Sequence, residues 1–510
     1  MSRLDATGAA LKRTLRRINV AGVARVVLVV GAAVGLVHYA TDRPVGVDLV
    51  AATGEQQTPL VGTSLATRIA QTCPGPELNG IPGIDDVPVP VLFTAAAGPA
   101  ELLPVAARGS GKLTATSGST TVLTLDARPG SATAPLPSAT GAPTSAGSDP
   151  VLVTGADAMA PAVAAGQEWW VDTKDLRGLV TVPCGAGGSD LWLLAGGSGP
   201  GRQERLILTN PGANPVSAQV TVHGTAGQLG DPVVETVAPG GRVSLLLDAR
   251  YGAEDRPAVH VSSDGGGIQA TLTDTWVGGS IAMGAETTVP AAAPGTVAVV
   301  PGVVVDANGS TALRVVVPGD QDAIVKVTVL NRDGLVPLTG ETVLSVPAGA
   351  VGELPITGLA DGTYTVALRS DVPVVASAFT RIGTGAAPGD FAWSPAATGV
   401  TTLGGAAFRN DPATTRTLQL VSTGGNSTAE VVTVVEGEPR TREVELLADR
   451  LATVPLDGAT SVWVRRITGS GELRGTIVSS GGTGPARVLS AMPLEESAVT
   501  SEVSRAFPLP

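Results

Sequence analysis

The chain has 510 residues, 43% hydrophobic and 15% charged, enough for three or four domains with apolar cores. Aromatics are only 3%, so those cores must be Val, Leu and Ala, and 66 Gly with 39 Pro point to many short strands and turns. The net charge is −12, which repels phosphates and excludes nucleic acid as a partner.

The basic residues Arg3, Lys12, Arg13, Arg16, Arg17 and Arg25 crowd the start of the chain, so residues 1–17 read as a cytoplasmic tail. Residues 18–40, INVAGVARVVLVVGAAVGLVHYA, come next. This stretch approaches the roughly 20 residues needed to span a bilayer if Arg25 reaches back to the cytoplasmic side. Positive charge before it predicts the N-terminus inside and the body outside, in a single-pass chain of the cell membrane. A cleavable signal peptide is the rival reading, although His38-Tyr39-Ala40 is a poor cleavage site. Both readings export the body, with 41–69 as linker. The only two cysteines, Cys73 and Cys184, are then expected to pair as a disulfide.

A period dominates the rest of the chain. Leu206–Gly227 reads LILTNPGANPVSAQVTVHGTAG, and it aligns without gaps to the segments starting at Leu313 and Leu418. All three keep the leading Leu, a turn glycine (Gly212, Gly319, Gly424) and Val-Thr-Val. Such spacing means whole domains in tandem. Short alternating strands and no amphipathic helix after residue 40 predict an all-β chain: tandem antiparallel β-sandwich, immunoglobulin-like units after one N-terminal transmembrane helix. Units are expected over 183–290, 296–388 and 389–493, the last opening on FAWSPA, with 494–510 as tail. A degenerate unit over 70–182 precedes them, because Leu-Asp-Ala-Arg-x-Gly recurs at Leu125–Gly130 and Leu247–Gly252. The breaker-rich tract 131–150 reads as a disordered insertion within it.

An aromatic-led strand, a Leu-rich strand ending in Asn-Pro-Gly, then V-x-V-x-V-x-G, a Pro-Gly turn and a closing Ser-Asp strand resemble an actinobacterial exported repeat family, domain of unknown function 5719. The resemblance covers about residues 70–493, is clearest from Cys184 to Trp276 and fades in the last unit, where Thr423 replaces the proline. It implies a β-sandwich array at the cell envelope and brings no catalytic residue.

Chemistry-bearing patterns are sparse. His223 and His260 lie on different strands, and Leu330 and Val435 replace His223 in the other copies, so it reads as a surface or interface residue. No clustered Cys/His zinc pattern and no G-x-S-x-G occur, and GGSGPGR at 196–202 lacks the Gly-Lys-Ser/Thr of a phosphate loop. Asp248 with Glu254 and Asp255, or Asp320 with Asp322, read as solvated loop acids rather than calcium ligands or an acid–base pair. No cofactor or metal is expected. Trp169-Trp170 offer a possible ligand platform, since adjacent strand residues face opposite ways. Packing against a neighbouring unit is the plainer reading, and Trp192, Trp276, Trp393 and Trp463 are expected to plug the ends of their own units.

The sequence thus predicts a non-enzymatic, membrane-anchored extracytoplasmic array acting as cell-envelope scaffold, spacer or interaction protein. Its partner would be an envelope protein or a cell-wall polymer. The alternative is a carbohydrate-binding accessory protein for envelope glycopolymers. Units joined end to end would form a semi-rigid rod on the order of 100 Å.

Overall fold

The computed structural model describes residues 62–503 except 77, 82–83, 106, 108, 138–148 and 384–386. The expected cytoplasmic tail (1–17), the anchor (18–40) and most of the linker lie outside the described residues. Among those described, no helix is long and apolar enough to cross a membrane. The chain is nearly all β in several antiparallel sheets, with a single-turn α-helix at Asp248–Tyr251.

The second unit shows the plan. One sheet orders Asp190–Leu194, Ala258–Asp264, Val216–Gly224 and Gly227–Val237; the other orders Arg242–Leu246, Arg202–Thr209, Gln269–Gly278 and Ile281–Thr288. Leu206, Leu208, Val216, Ala218, Val220, Val222, Val261 and Leu272 meet in one core between them. Full burial of each large aliphatic side chain contributes about 1.5–3 kcal/mol. The repeat segment Leu206–Gly227 is therefore an arch from one sheet to the other. Its Leu-rich strand and its Val-Thr-Val strand lie in different sheets, and NPGANP crosses between them. Asn210 pins the crossing: its amide donates to Asn214 O (2.8 Å) and Val237 O (3.0 Å) and accepts from Gly212 N–H (2.8 Å).

The same strand order recurs in the first and fourth units. In the third, two strands fuse into Gly362–Ile382, whose first half pairs with Gly295–Val305 and Ala323–Asn331 and whose second half pairs with Ser310–Val316 and Asp390–Pro395. FAWSPA therefore closes the third unit instead of opening the fourth. In the first unit Gly130–Pro135 runs into the start of the tract 131–150 expected to be disordered and is a strand on Leu92–Ala97, while 138–148 lie outside the described residues. One edge of the strand's backbone pairs in that ladder and Thr133 meets Thr94 (2.9 Å), which outweighs its breaker-rich composition. The shared Leu-Asp-Ala-Arg-x-Gly proves non-equivalent. It succeeds Thr120–Leu125 of one sheet in the first unit and Arg242–Leu246 of the other sheet in the second.

The disulfide forms as expected: Cys73 and Cys184 are 4.5 Å apart at Cα, 111 residues apart in sequence. It joins the two sheets of the first unit, and Thr72 and Gly185 exchange backbone hydrogen bonds beside it.

The units do not extend into a rod. Each touches the next, and the fourth returns to the first. Trp463 of the fourth unit is buried with Ala96, Leu102 and Ala164 of the first. Thr500–Val503, within the expected tail, pairs with Gly62–Leu65 of the expected linker. Each joint buries apolar surface that an end-to-end array would leave in water.

Candidate functional site

Four equivalent strands meet where the units close: Arg177–Pro183, Ile281–Thr288, Asp390–Pro395 and Val488–Pro493, each packed against two of the others in cyclic order. Each pairs on one edge only, so its other row of N–H groups needs acceptors. Asp390 supplies them. Its carboxylate accepts from Leu489 N–H (2.9 Å), Leu179 N–H (3.3 Å) and Ala285 N–H (3.3 Å), one from each other unit. Burial pushes its pKa up to about 8, against the pull of these donors and of Phe391 N–H. Gly284 (φ 135°) makes the approach possible, since a Cβ there would lie 2.9 Å from the Asp390 carboxylate. Glu286 is buried next to it, held by Thr287 N–H (2.9 Å) and by Ser490 Oγ (3.2 Å), which also meets Thr181 Oγ1 (2.8 Å). Burial raises Glu286 well above the carboxylate range.

A second polar cluster joins units two and three. Asp274, fully buried, takes Arg202 Nε (2.8 Å) and Nη2 (2.6 Å), Gly196 N–H (3.1 Å) and Trp393 Nε1 (2.8 Å). The Arg202 guanidinium lies 5.4–5.5 Å from the ring centroids of Trp276, Phe379 and Phe391. GGSGPGR is thus a strand-linking loop folded over a buried ion pair. Glu204, beside it, is pushed up to about 9 by burial and by Asp248. Units four and one are joined by Glu168, which pairs with Arg416 (2.7 Å) and Arg409 (3.2 Å).

Two adjoining cavities of about 350 and 340 Å³ open between units three and four and share Ile382 and Arg487. Asp306 in the first pairs with Arg487 at 3.0 Å. The second is lined by Thr363, Thr415, Thr417 and Ser480 together with glycine and aliphatic residues. Among the described residues, no group of three or more His, Cys, Asp or Glu is placed to hold a metal ion.

The family of unknown function DUF5719 matches residues 138–457, more than half of the chain. The chain belongs to this family. No curated protein matches it. Among solved structures it is similar to Thermotoga maritima 1070, at 19% identity over 20% of this chain and 93% of that one, TM-score 0.17. A GH78 family rhamnosidase of Bacillus sp. GL1 matches at 11% identity over 62% and 55%, TM-score 0.11. An E. coli alpha-2-macroglobulin matches at 12% over 84% and 30%, TM-score 0.11. Likenesses this faint carry no property over to this chain.

In this DUF5719 chain the sequence-picked residues scatter. Trp169 is 2% exposed, inside the core of the first unit, so it presents no open face. Trp170 is half-buried, its ring edge against Gly481 of the fourth unit. The remaining tryptophans do not plug their own units. Trp192, Trp276, Trp393 and Trp463 all sit at joints, where large flat side chains fill the space between sheets. His223 is 9% exposed, and its Nδ1 meets Gly349 O of the third unit (2.8 Å), so it is an interface residue. His260 stacks on Trp192 (4.3 Å) and pairs with Asp190 (2.7 Å). Asp390, Asp274 and Glu168 were missed because a lone acid on an apolar strand carries no pattern.

Proposed function

We propose that the chain is a non-enzymatic, extracytoplasmic scaffold or interaction protein of the cell envelope. Residues 18–40 hold it in the membrane with the N-terminus inside, and its two-sheet units are immunoglobulin-like sandwiches. One observation carries this reading. The buried acids Asp390, Glu286, Asp274 and Glu168 are all engaged in contacts between strands or units, while the cavities between units three and four are lined chiefly by threonine, serine, glycine and aliphatic residues. Recognition then lies at loops and outer sheet faces, where binding residues usually sit on a rigid frame. The test is fractionation of cells carrying the full chain with a C-terminal tag. The tag is expected in the membrane fraction, digestible by protease added outside, and cross-linked to an envelope protein or wall polymer. A tag that is soluble and protected inside the cell overturns the reading.

Glycan binding is the second reading. It is favoured by the cavity lined by threonines and a serine and bounded by Gly481, the residue against which Trp170 rests. Trp170→Ala should then weaken binding of purified wall glycan. Undiminished binding removes this reading.

A further inference from the structure

The outer face of the third unit carries a feature that folding does not require. Strands Val343–Val346, Ala323–Asn331, Gly362–Ile382 and Gly295–Val305 lie side by side, and one row across them reads Val343, Lys326, Arg369, Val297. Alternate residues share a face, so Ile324, Thr328, Leu330, Ala367 and Val299 continue this surface. Ala298, Val325, Val327 and Leu368 point the other way, into the core.

Lys326 and Arg369 therefore stand directly opposite one another. Like charges in that position destabilise a sheet. Neither makes an ion pair among the described residues. Around them Val297 (41%), Ile324 (59%), Leu335 (71%) and Val343 (51%) are among the most exposed large apolar side chains described. Between lies a cavity of about 350 Å³ floored by Val299, Leu330 and Ala367, its far wall formed by Thr423 and Asp449 of the fourth unit. Arg450 adds a third cation at the rim, its Nε 3.9 Å from where a Cβ on Gly334 would stand.

Among the described residues neither Lys326 nor Arg369 has an ion pair, and the cavity's far wall sets one acid, Asp449, beside Arg450 in sequence, so the lining stays net positive and calls for an anionic group. A bare anion would leave the exposed apolar side chains Val297, Leu335, Ile324 and Val343 in water, and a neutral lipid would leave the cations unanswered. We propose that this trench binds one anionic amphiphile: a phosphate or carboxylate head between Lys326 and Arg369, and an aliphatic tail along Ala367, Val297 and Leu335. The inference goes beyond the scaffold reading and does not depend on where the chain resides.

The test uses the full chain in phosphatidylcholine nanodiscs, with empty discs as blank, titrated calorimetrically with octyl phosphate, hexyl phosphate, octanol and inorganic phosphate. Octyl phosphate is expected to bind at least tenfold more tightly than octanol or inorganic phosphate. Each methylene beyond hexyl should add about threefold to fourfold. Lys326→Gln with Arg369→Gln should cost tenfold or more, while Lys326→Arg retains binding and Arg440→Gln with Arg442→Gln, on another sheet, changes nothing. A thermal midpoint no lower than that of the parent shows that the double variant folds. Equal binding by that variant, equal binding of inorganic phosphate, or attachment only to vesicles rich in phosphatidylglycerol overturns the proposal, the last in favour of a membrane surface.

Discussion

The central junction and the outer face of the third unit use charge in opposite ways. At the junction Asp390 is enclosed, and donors from all three other units converge on it. On the outer face Lys326 and Arg369 meet in the open, and among the described residues no acid is paired to either. The junction shows what closure requires: strands with one unpaired edge need an acceptor that can serve several N–H groups at once, and the two oxygens of one buried carboxyl group do so. The outer face has no such requirement. Its charges oppose the sheet that carries them, which is why they point outward to a ligand and Asp390 points inward to the fold.

Three changes would break the first half of that contrast. Reducing Cys73–Cys184 releases a 111-residue loop, for a loss of about 5 kcal/mol in the chain-entropy model. Urea unfolding with and without reductant measures it, and an unmoved midpoint would show that the closed ring, not the disulfide, sets stability. Asp274→Ala comes next. It strands the buried Arg202 guanidinium, Trp393 Nε1 and Gly196 N–H, and losing one partner of a buried pair costs about 3–5 kcal/mol. A loss below about 1 kcal/mol would mean that water reaches the joint.

The junction itself should respond to pH. Asp390 rises from 3.8 when unfolded to about 8 when folded. The folded state thus binds this proton more tightly, and its contribution is full below about pH 4 and lost as pH climbs through 8. Glu204, at about 9, acts in the same direction. Urea midpoints should therefore fall between pH 5 and pH 9. Asp390→Asn should flatten the part of that slope below pH 8, at a cost of about 1–3 kcal/mol from an amide N–H facing backbone donors. A variant with the wild-type slope would assign the pH dependence elsewhere.

Joints also decide what was legible in the sequence. Strand alternation and the Leu…Gly…Val-Thr-Val period reveal the repeated units, because one face of each strand is core and the other is solvent. Where a joint buries the second face, that signal vanishes. In STAEVVTVV the gapless alignment puts Val432 and Val434 on the core face, like Val220 and Val222. The structure instead turns Val431 and Val435 inward and packs Val432 and Val434 against the first unit. A slip of one residue exchanges the faces, and with apolar residues on both nothing in the sequence marks it. The tryptophans mislead for the same reason: a unit read alone has ends to plug but no neighbours. The low aromatic content is explained too, since Val, Leu and Ala fill the cores and most tryptophans lie between units. Ring closure was out of reach, because it depends on strands some 300 residues apart, as with Thr181 and Ser490.

The smallest effect tests the other half of the contrast. If Lys326 and Arg369 are kept for a ligand and not for the fold, neutralising one should help the sheet. Like charges directly opposite cost about 0.2–1 kcal/mol, so Lys326→Gln should raise the urea midpoint slightly in the absence of any amphiphile. Salt should mimic it, because exposed charges are screened over about 8–10 Å at physiological ionic strength. A midpoint that falls would mean that the lysine stem contributes more by packing than its charge costs. The outer face would then be one more structural surface, like the junction, and the contrast between them would close.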